Sequence, residues 1–581
     1  MNRKKRSTTR GPRENFGLRA DRVITTLDQF VRRDLRMPLT GLPLDAACFV
    51  RECQATATLK KYKYLDDGAD LRELAFAKFR SINSHMQNLE ALNSPPLTLA
   101  HTNLSVYHRQ LLRARATAHE ILYELDIDTF FAFCKHSGGV SQGIKYSDCS
   151  MERKFQYPIS TTRLARPLLD AYFCYDTMCD NAVQHLNRMD LHGPKYELVK
   201  ASRATTVPKT NKIDRMIAIE PTANMFLQQG LMEYMYSLMK SFGLDVSRLP
   251  DKHKLLAKKG SIDGSLATID FSSASDCLSI DLVRFLLPTK WFNLLNQVRC
   301  STMTLNEESV ELSMFSTMGN ATTFPLESIV FYCLASASLH THDRKHSASL
   351  LCPVYVKNDV SVFGDDCIVP TRSADSFMNL ATRVGFIVNS EKSHYRADDG
   401  FRESCGGDYL HGTDVRPFCI KRPTSNTEQA FIAWLYNALN QVLEKYISYF
   451  GPLKYVYNRH AIAYLFRVIR RYREYPFLVP DDFPSDAGLQ LSLDNRRISA
   501  CYSVNFNRIT KDEHGTVFFN FLNFRFKQKS RQDDFIRLAS DLKVRYASER
   551  SLGERSLFNP IRRIGGYVVA RTSSGHWPVE V

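Results

Sequence analysis

The stretch Val360-Ser-Val-Phe-Gly364-Asp365-Asp366-Cys-Ile-Val369 sets Gly-Asp-Asp between two β-prone runs, the pattern of a hairpin closed by a tight turn. Gly and Asp are ordinary turn formers, so alone this is only a hairpin. Upstream, Leu266-Ala-Thr-Ile-Asp270-Phe271 reads as a buried strand delivering a carboxylate at its exit. Ser272-Ser-Ala-Ser-Asp276 follows as a polar turn able to cap the next helix. In isolation Asp270 and Asp276 read as helix caps. Setting Asp270 beside the Gly364 turn changes the energetics, because unit charges ~4 Å apart repel by about 4 kcal/mol at an effective dielectric near 20. A cluster of Asp270, Asp365 and Asp366 therefore calls for a cation. Hard carboxylate oxygens suit Mg²⁺, which keeps some waters and completes its shell with substrate phosphates. Two such ions fit an in-line displacement, one activating a 3′-hydroxyl and the other holding the triphosphate and its pyrophosphate leaving group.

Around these runs, residues 264–390 alternate short β-rich and helical segments, which predicts a mixed sheet packed on helices, an α+β class. Residues 27–199 read as charge-decorated helices, such as 71–86 and 103–125, with no legible function. A basic loop is expected over 202–215 and a helix over 222–242. Helix returns beyond residue 427, with Tyr, Phe, Arg and Lys interleaved over 446–477, and the tail after 552 looks looser. No internal repeat is detected.

At 581 residues the chain exceeds what one hydrophobic core usually supports, so several subdomains are expected. Its 77 Lys and Arg against 61 Asp and Glu give a net charge of +16, which suits a polyanionic partner without establishing one. The 14 cysteines lack the spacing of a disulfide scaffold, which fits a reducing cytoplasm. Arg3, Lys4, Lys5 and Arg6 precede Ser, Thr, Gly and Pro, not the apolar stretch of a secretory signal. The most apolar run, 329–339, is too short to cross a bilayer, so no membrane is expected as a partner.

Three further elements bear on the chemistry. Phe315-Ser316-Thr317-Met-Gly319-Asn320 precedes a helical run. It reads either as a conventional cap or, with Asp276, as a site for a ribose 2′-hydroxyl, Gly319 allowing close approach of template or nucleotide. Arg203, Lys209, Lys212 and Arg215 form either a solvated charged loop or a clamp on an incoming triphosphate. Lys392 either faces water or donates a proton to departing pyrophosphate. Cys174, Cys179, His185 and His192 are spaced poorly for zinc.

In this order the motifs resemble the replicase catalytic subunit of the leviviruses, the small single-stranded RNA bacteriophages that include Q-beta and MS2. The resemblance rests on Thr206-Val-Pro-Lys209-Thr-Asn-Lys212-Ile-Asp-Arg215, Glu220-Pro-Thr-Ala-Asn-Met225, the strings around Asp270 and Asn320, and Leu326-Glu-Ser328. It continues through Phe363-Gly-Asp-Asp366, Gly385-Phe386 with Lys392, Phe401-Arg-Glu-Ser-Cys-Gly406 and Asp414-Val-Arg-Pro-Phe418. It is dense over 201–422 and faint outside. It implies a right-hand polymerase with an antiparallel palm sheet packed on helices. The N-terminal helical region and part of the fingers would take 1–200, the fingers with the basic nucleotide-binding loop 201–263, the palm 264–422, and the thumb and C-terminal region 423–581. It also implies Asp270, Asp365 and Asp366 as ligands of two Mg²⁺ ions, with RNA template and product and ribonucleoside triphosphates as partners. Host elongation factors Tu and Ts and a small-subunit ribosomal protein would join it in the cytoplasm of an infected bacterium, copying the phage's positive-strand genome. Phe363, Ala321 and Pro325 depart from the family pattern of Tyr, Gly and an acid at those places, which puts fidelity and template handling in doubt more than activity.

Two alternatives carry different expectations. A reverse transcriptase would show a bulky aromatic gate against ribose, where Asp276 and Asn320 instead offer polar partners. A non-catalytic RNA-binding virion protein would have no reason to gather acids beside a phosphate backbone.

Overall fold

The structure, a computed structural model, describes residues 15–62, 70–90, 92, 104–145, 149–188, 194–339, 360–423, 425–490, 510–511, 517–527 and 564–574. Strand Leu266–Ile269 is buried at every position and Asp366–Pro370 at all but its first, as expected of strands covered on both faces. Asp366–Pro370 is the middle strand of an antiparallel sheet, flanked by Leu266–Ile269 and Ser361–Phe363. Phe363 pairs with Asp366, which leaves Gly364 and Asp365 as a two-residue turn. Gly364 has φ 62°, and a Cβ there would lie 2.8 Å from the Phe324 ring, so the turn requires glycine both conformationally and sterically.

Beneath this sheet runs the helix Thr323–Leu339, buried throughout except at Phe324. A helix apolar on all sides belongs inside a protein core, and this one contains the apolar 329–339 run. Among the described residues no helix is long and apolar enough to cross a membrane. Pro325 falls in the first turn, where a missing N–H costs nothing. The helix packs against Val106–Ile121 and Ala374–Arg383.

A second sheet corrects the sequence reading. Residues 202–215 were expected to form a loop, but Ser202–Pro208 and Asp214–Ile219 pair as an antiparallel hairpin. The Thr, Val, Ile and Met content favours strand, and only residues 209–213 form the turn. Ser202–Pro208 also pairs in parallel with Thr302–Leu305, which pairs with Glu308–Glu311. This mixed sheet joins strands from either side of residue 264.

Apolar side chains gather into two cores, and the class is α+β. One core surrounds both sheets, the Thr323–Leu339 helix and Thr222–Ser241, close to the helix expected over 222–242. The other packs Phe16–Asp34 and Leu44–Ala57 against Glu428–Phe450 and His460–Tyr472. The expected helix over 103–125 is Val106–Ile121, residue 103 lying outside the described residues. Beyond residue 490 the sequence reading missed a long antiparallel pair, Val517–Lys527 with Ile564–Ser574, whose aromatic and β-branched content favours strand.

Asp34 ties the second core together across the length of the chain. Its carboxylate accepts the backbone N–H of His460 at 3.0 Å and of Ala461 at 2.9 Å, and the Tyr446 hydroxyl at 3.2 Å. It thus caps a helix from another part of the sequence. Asp34→Ala should strand these donors and lower the unfolding free energy by about 2–3 kcal/mol. Urea denaturation reads this, and a loss below about 0.5 kcal/mol would remove Asp34 as the tie.

Candidate functional site

Antiparallel register sets Ile269 opposite Cys367, so Asp270, the next residue, leaves its strand beside Asp366 and the Gly364 turn. Burial pushes the Asp365 carboxyl up, and the Asp270 charge pushes it further. Asp366 is pushed up to about 6 by burial, then by Asp365 and Asp270. Asp365 and Asp366 thus both respond to the charge of Asp270, as carboxylates sharing one poorly solvated site should. The Cys405 thiol donates to Asp366 Oδ2 at 3.6 Å from the turn of the hairpin Phe401–Ser404 and Gly407–Leu410.

Asp270 is held by the segment that follows Val388. Asn389 Nδ2 donates to its Oδ1 at 2.8 Å and Lys392 Nζ to its Oδ2 at 3.3 Å, while its backbone N–H donates to Ser393 Oγ at 3.1 Å. Burial works to lower the Lys392 ammonium, yet Asp270 and Glu403 outweigh it and hold it above the ordinary lysine range. Among the described residues no three His, Cys, Asp and Glu side chains form a group set to hold a metal. Cys174, Cys179 and His185 are among those residues, and His192 lies outside them. The oxygens at the Gly364 turn nevertheless suit Mg²⁺, which uses few carboxylates and draws its other ligands from water and substrate phosphate. The mutual repulsion of the acids is what such a cation would relieve.

Two cations of the basic hairpin reach this cluster. Lys209 is held below its usual range first by desolvation, then by Arg215, Lys78 and Lys392, with Asp365 opposing. Arg215 in turn acts on Asp365, Asp276 and Glu327. Arg203 pairs with Ile219 at the far end of the hairpin from the 209–213 turn, and Lys212 is exposed in that turn. Neither is among the principal charges acting on these acids.

The 316–320 segment meets Asp276 through a hydrogen bond from the Met318 backbone. Gly319, with φ 107°, makes its close approach to the protein itself, since a Cβ there would lie 2.1 Å from the Ala218 carbonyl oxygen. Asn320 Oδ1 accepts from Thr322 N at 2.9 Å and Thr322 Oγ1 at 2.8 Å, and Thr323 Oγ1 donates to the Thr317 carbonyl at 2.8 Å. These bonds close the 317–323 turn on itself just ahead of the helix Thr323–Leu339. Asp276 Oδ1 and Ser316 Oγ remain buried without a hydrogen-bond partner, as does Glu327 Oε1. Burial drives Asp276 up to about 7 against the pull of Met318, Lys78, Arg215 and Lys209. Glu327, whose Oε2 accepts from Ser275 Oγ at 3.0 Å, is raised well above its usual range, by burial first and Asp365 next.

Sequence reasoning gave no role to Glu327, Asn389 or Lys78. Glu327 left a signal, being the single charged residue in a helix that is mostly apolar. Lys78 left none, because a lysine on the amphipathic helix Leu71–Gln87 looks like any solvated lysine until that helix packs on Asp214–Ile219 and the 274–276 turn. A separate cavity of about 1220 Å³, lined by His85, Tyr107, Arg284 and Arg383 among others, contains none of the site residues expected from sequence.

Comparison with known proteins places this geometry in context. A family profile described as RNA replicase, beta-chain, matches residues 32–443. The RNA-directed RNA polymerase beta chain of Escherichia phage MS2 is 32% identical over 364 residues, 62% of this chain and 62% of the relative. That of Enterobacteria phage GA is 32% identical over 363 residues, 62% of this chain and 64% of the relative. The RNA-directed RNA polymerase subunit beta of Escherichia virus Qbeta is 30% identical over 365 residues, 62% of this chain and 57% of the relative. The matches thus span less than two thirds of these relatives' lengths. The RNA-dependent RNA polymerase of a human picobirnavirus aligns over 76% of this chain and 80% of its own at 13% identity, but its TM-score of 0.32 is too low to carry weight.

Asp276 makes a prediction for pH. Its unfolded pKa is about 3.9, and its folded value is pushed up to about 7. Between these the folded state holds a proton that the unfolded state releases, so this group's contribution to stability falls as pH rises through the window. Asp276→Asn should flatten that fall and leave the variant more stable than the parent at pH near 8 by on the order of 2 kcal/mol. Urea denaturation at several pH values in chelator measures it, and parallel curves for the two proteins would refute the assignment.

Proposed function

The chain belongs to the RNA replicase beta-chain family, and from that premise we propose that it is the catalytic subunit of an RNA-directed RNA polymerase replicating a phage positive-strand RNA genome. The observation that carries the reading is the strand register that sets Asp270 beside Asp365 and Asp366. When bound there by these acids, two Mg²⁺ ions would supply an activated 3′-hydroxyl and a stabilised pyrophosphate. Every other task falls to the protein's own side chains.

Lys209 and Arg215 lie where they can clamp an incoming triphosphate, with Lys78 as a third cation from the N-terminal part. Arg203 and Lys212, further from the acids, would serve the flanks of the same hairpin. Asp276, Ser316 and Glu327 present unpartnered polar atoms. Asp276 and Ser316 suit a ribose 2′-hydroxyl, with Thr317, Gly319 and Asn320 shaping the turn that holds them. Such recognition favours ribonucleotides, as an RNA polymerase requires and a reverse transcriptase does not. Lys392, bonded to Asp270, would hold that carboxylate in place or donate a proton to departing pyrophosphate.

In this reading the molecule is a right hand. Residues 1–200 give the N-terminal helical region and part of the fingers, and 201–263 the rest of the fingers. Residues 264–422 form the palm, and 423–581 the thumb and C-terminal region. Its partners are RNA and ribonucleoside triphosphates, with host elongation factors Tu and Ts and a small-subunit ribosomal protein, in the cytoplasm of the infected bacterium. A magnesium-dependent extension assay on the genomic 3′ end, run with and without bacterial extract, tests the assembly; activity confined to the extract arm would mean borrowed subunits are required. Asp365→Asn should abolish synthesis while leaving RNA binding within about twofold, since a carboxylate that ligates metal contributes nothing attractive to a phosphate backbone. Synthesis surviving that substitution would falsify the metal assignment.

A further inference from the structure

The helices Phe16–Asp34 and His460–Tyr472 run antiparallel on the second core, away from the core that carries the carboxylates. Phe16 lies 6.2 Å from the Tyr472 ring, Phe30 lies 5.3 Å from Tyr464, and Asp34 caps the start of His460–Tyr472. The latter helix turns Ile462, Leu465, Phe466 and Ile469 inward and leaves Arg467, Arg470 and Arg471 exposed. On its neighbour Arg19, Arg22 and Arg33 are exposed, three and then eleven residues apart, which returns them to one side of the helix. The two sets adjoin: the Arg19 guanidinium lies 5.3 Å over the Tyr472 ring, and Arg471 acts on Tyr464, whose hydroxyl bonds Thr26.

No acid offsets this charge from within the pair of helices. His460–Tyr472 contains none. On Phe16–Asp34, Asp21 is bound by Tyr62 and Arg422, Asp28 by Arg32, and Asp34 is the buried cap. Arg22, Arg33, Arg467 and Arg471 make no ion pair among the described residues. Like charges gathered on one surface repel unless a polyanion covers them, and guanidinium groups suit phosphate by their fork of donors.

We propose that these arginine shoulders form a second RNA-binding surface, distinct from the triphosphate site, that grips the phosphate backbone of a single strand. The proposal rests on the polymerase reading, which makes single-stranded RNA the polyanion at hand. The surface adds no chemistry and acts by tethering the strand on the second core.

The test compares the full-length parent with R22A/R467A/R471A and R22K/R467K/R471K, measuring binding of a labelled single-stranded RNA oligonucleotide across a salt series. Losing three phosphate contacts should reduce the slope of log K against log salt by about 2, at ~0.7 per contact, and weaken binding about tenfold at low salt. The lysine variant should keep the parental slope, and addition of one nucleotide to a preformed primer–template should stay within about twofold in both variants. An unchanged slope in the alanine variant, or weaker binding without a change of slope, overturns the proposal and leaves the face to an acidic protein partner. If the slope changes as expected but the parent extends no template, the polymerase reading fails and the RNA-binding surface stands.

Discussion

The charge of Asp270 set beside Asp365 and Asp366 is felt by both of them, and much of the architecture around residue 364 holds these acids together. Asp365 and Asp366 are each displaced upward by burial and by the Asp270 charge. The surroundings hold the acids in place nonetheless. Gly364 donates its N–H to Ser328 Oγ at 3.0 Å, anchoring the turn to the buried helix below. Fully buried Arg402 donates to the Leu266 carbonyl at 2.6 Å and the Arg396 carbonyl at 2.9 Å, fixing the start of the strand that delivers Asp270.

The same constraint explains why the site draws on so much of the chain. The strand ladder sets the acids' positions, but their immediate partners arrive from elsewhere: Asn389 and Lys392 from the segment after Val388, Cys405 from a hairpin turn, Ser328 from the buried helix. The hairpin Phe401–Ser404 and Gly407–Leu410 leans on the helix Leu249–Asp263, where buried His253 bonds Ser404 at 2.9 Å. Phe401 and Leu410 of that hairpin pack against the second core, so the site leans on both cores. The second core joins the two ends of the described chain through Asp34, so its order depends on contacts between residues hundreds of positions apart in sequence.

This division accounts for what the sequence disclosed. The two strands and the Gly364 turn were legible because an apolar run ended by an acid, and a glycine between β-prone runs, are local patterns with local causes. The α+β class was legible for the same reason. The 202–215 hairpin was misread because Pro208, Asn211 and two lysines mark a turn strongly, while the strands on either side take much of their stability from Thr302–Leu305, whose partnership no local pattern reveals. Lys78 and Asn389 were invisible because their roles exist only once separate elements pack. Gly319 was read for the right property, backbone freedom, but the surface it approaches is Ala218 of the protein itself.

Charge at the site is segregated, not cancelled. Lys209, Arg215 and Lys78 crowd one side closely enough that Lys209 is depressed by its like-charged neighbours as well as by desolvation. On the other side Asp365, Asp366, Asp276 and Glu327 are all raised. Were the two sets paired as salt bridges, the lysines would be raised, as Lys392 is beside Asp270. In the polymerase reading proposed above, the ligand meeting both sets would be anionic toward the lysines and accompanied by cations toward the acids. A triphosphate carrying divalent ions has that polarity, and neither component alone would satisfy both sides.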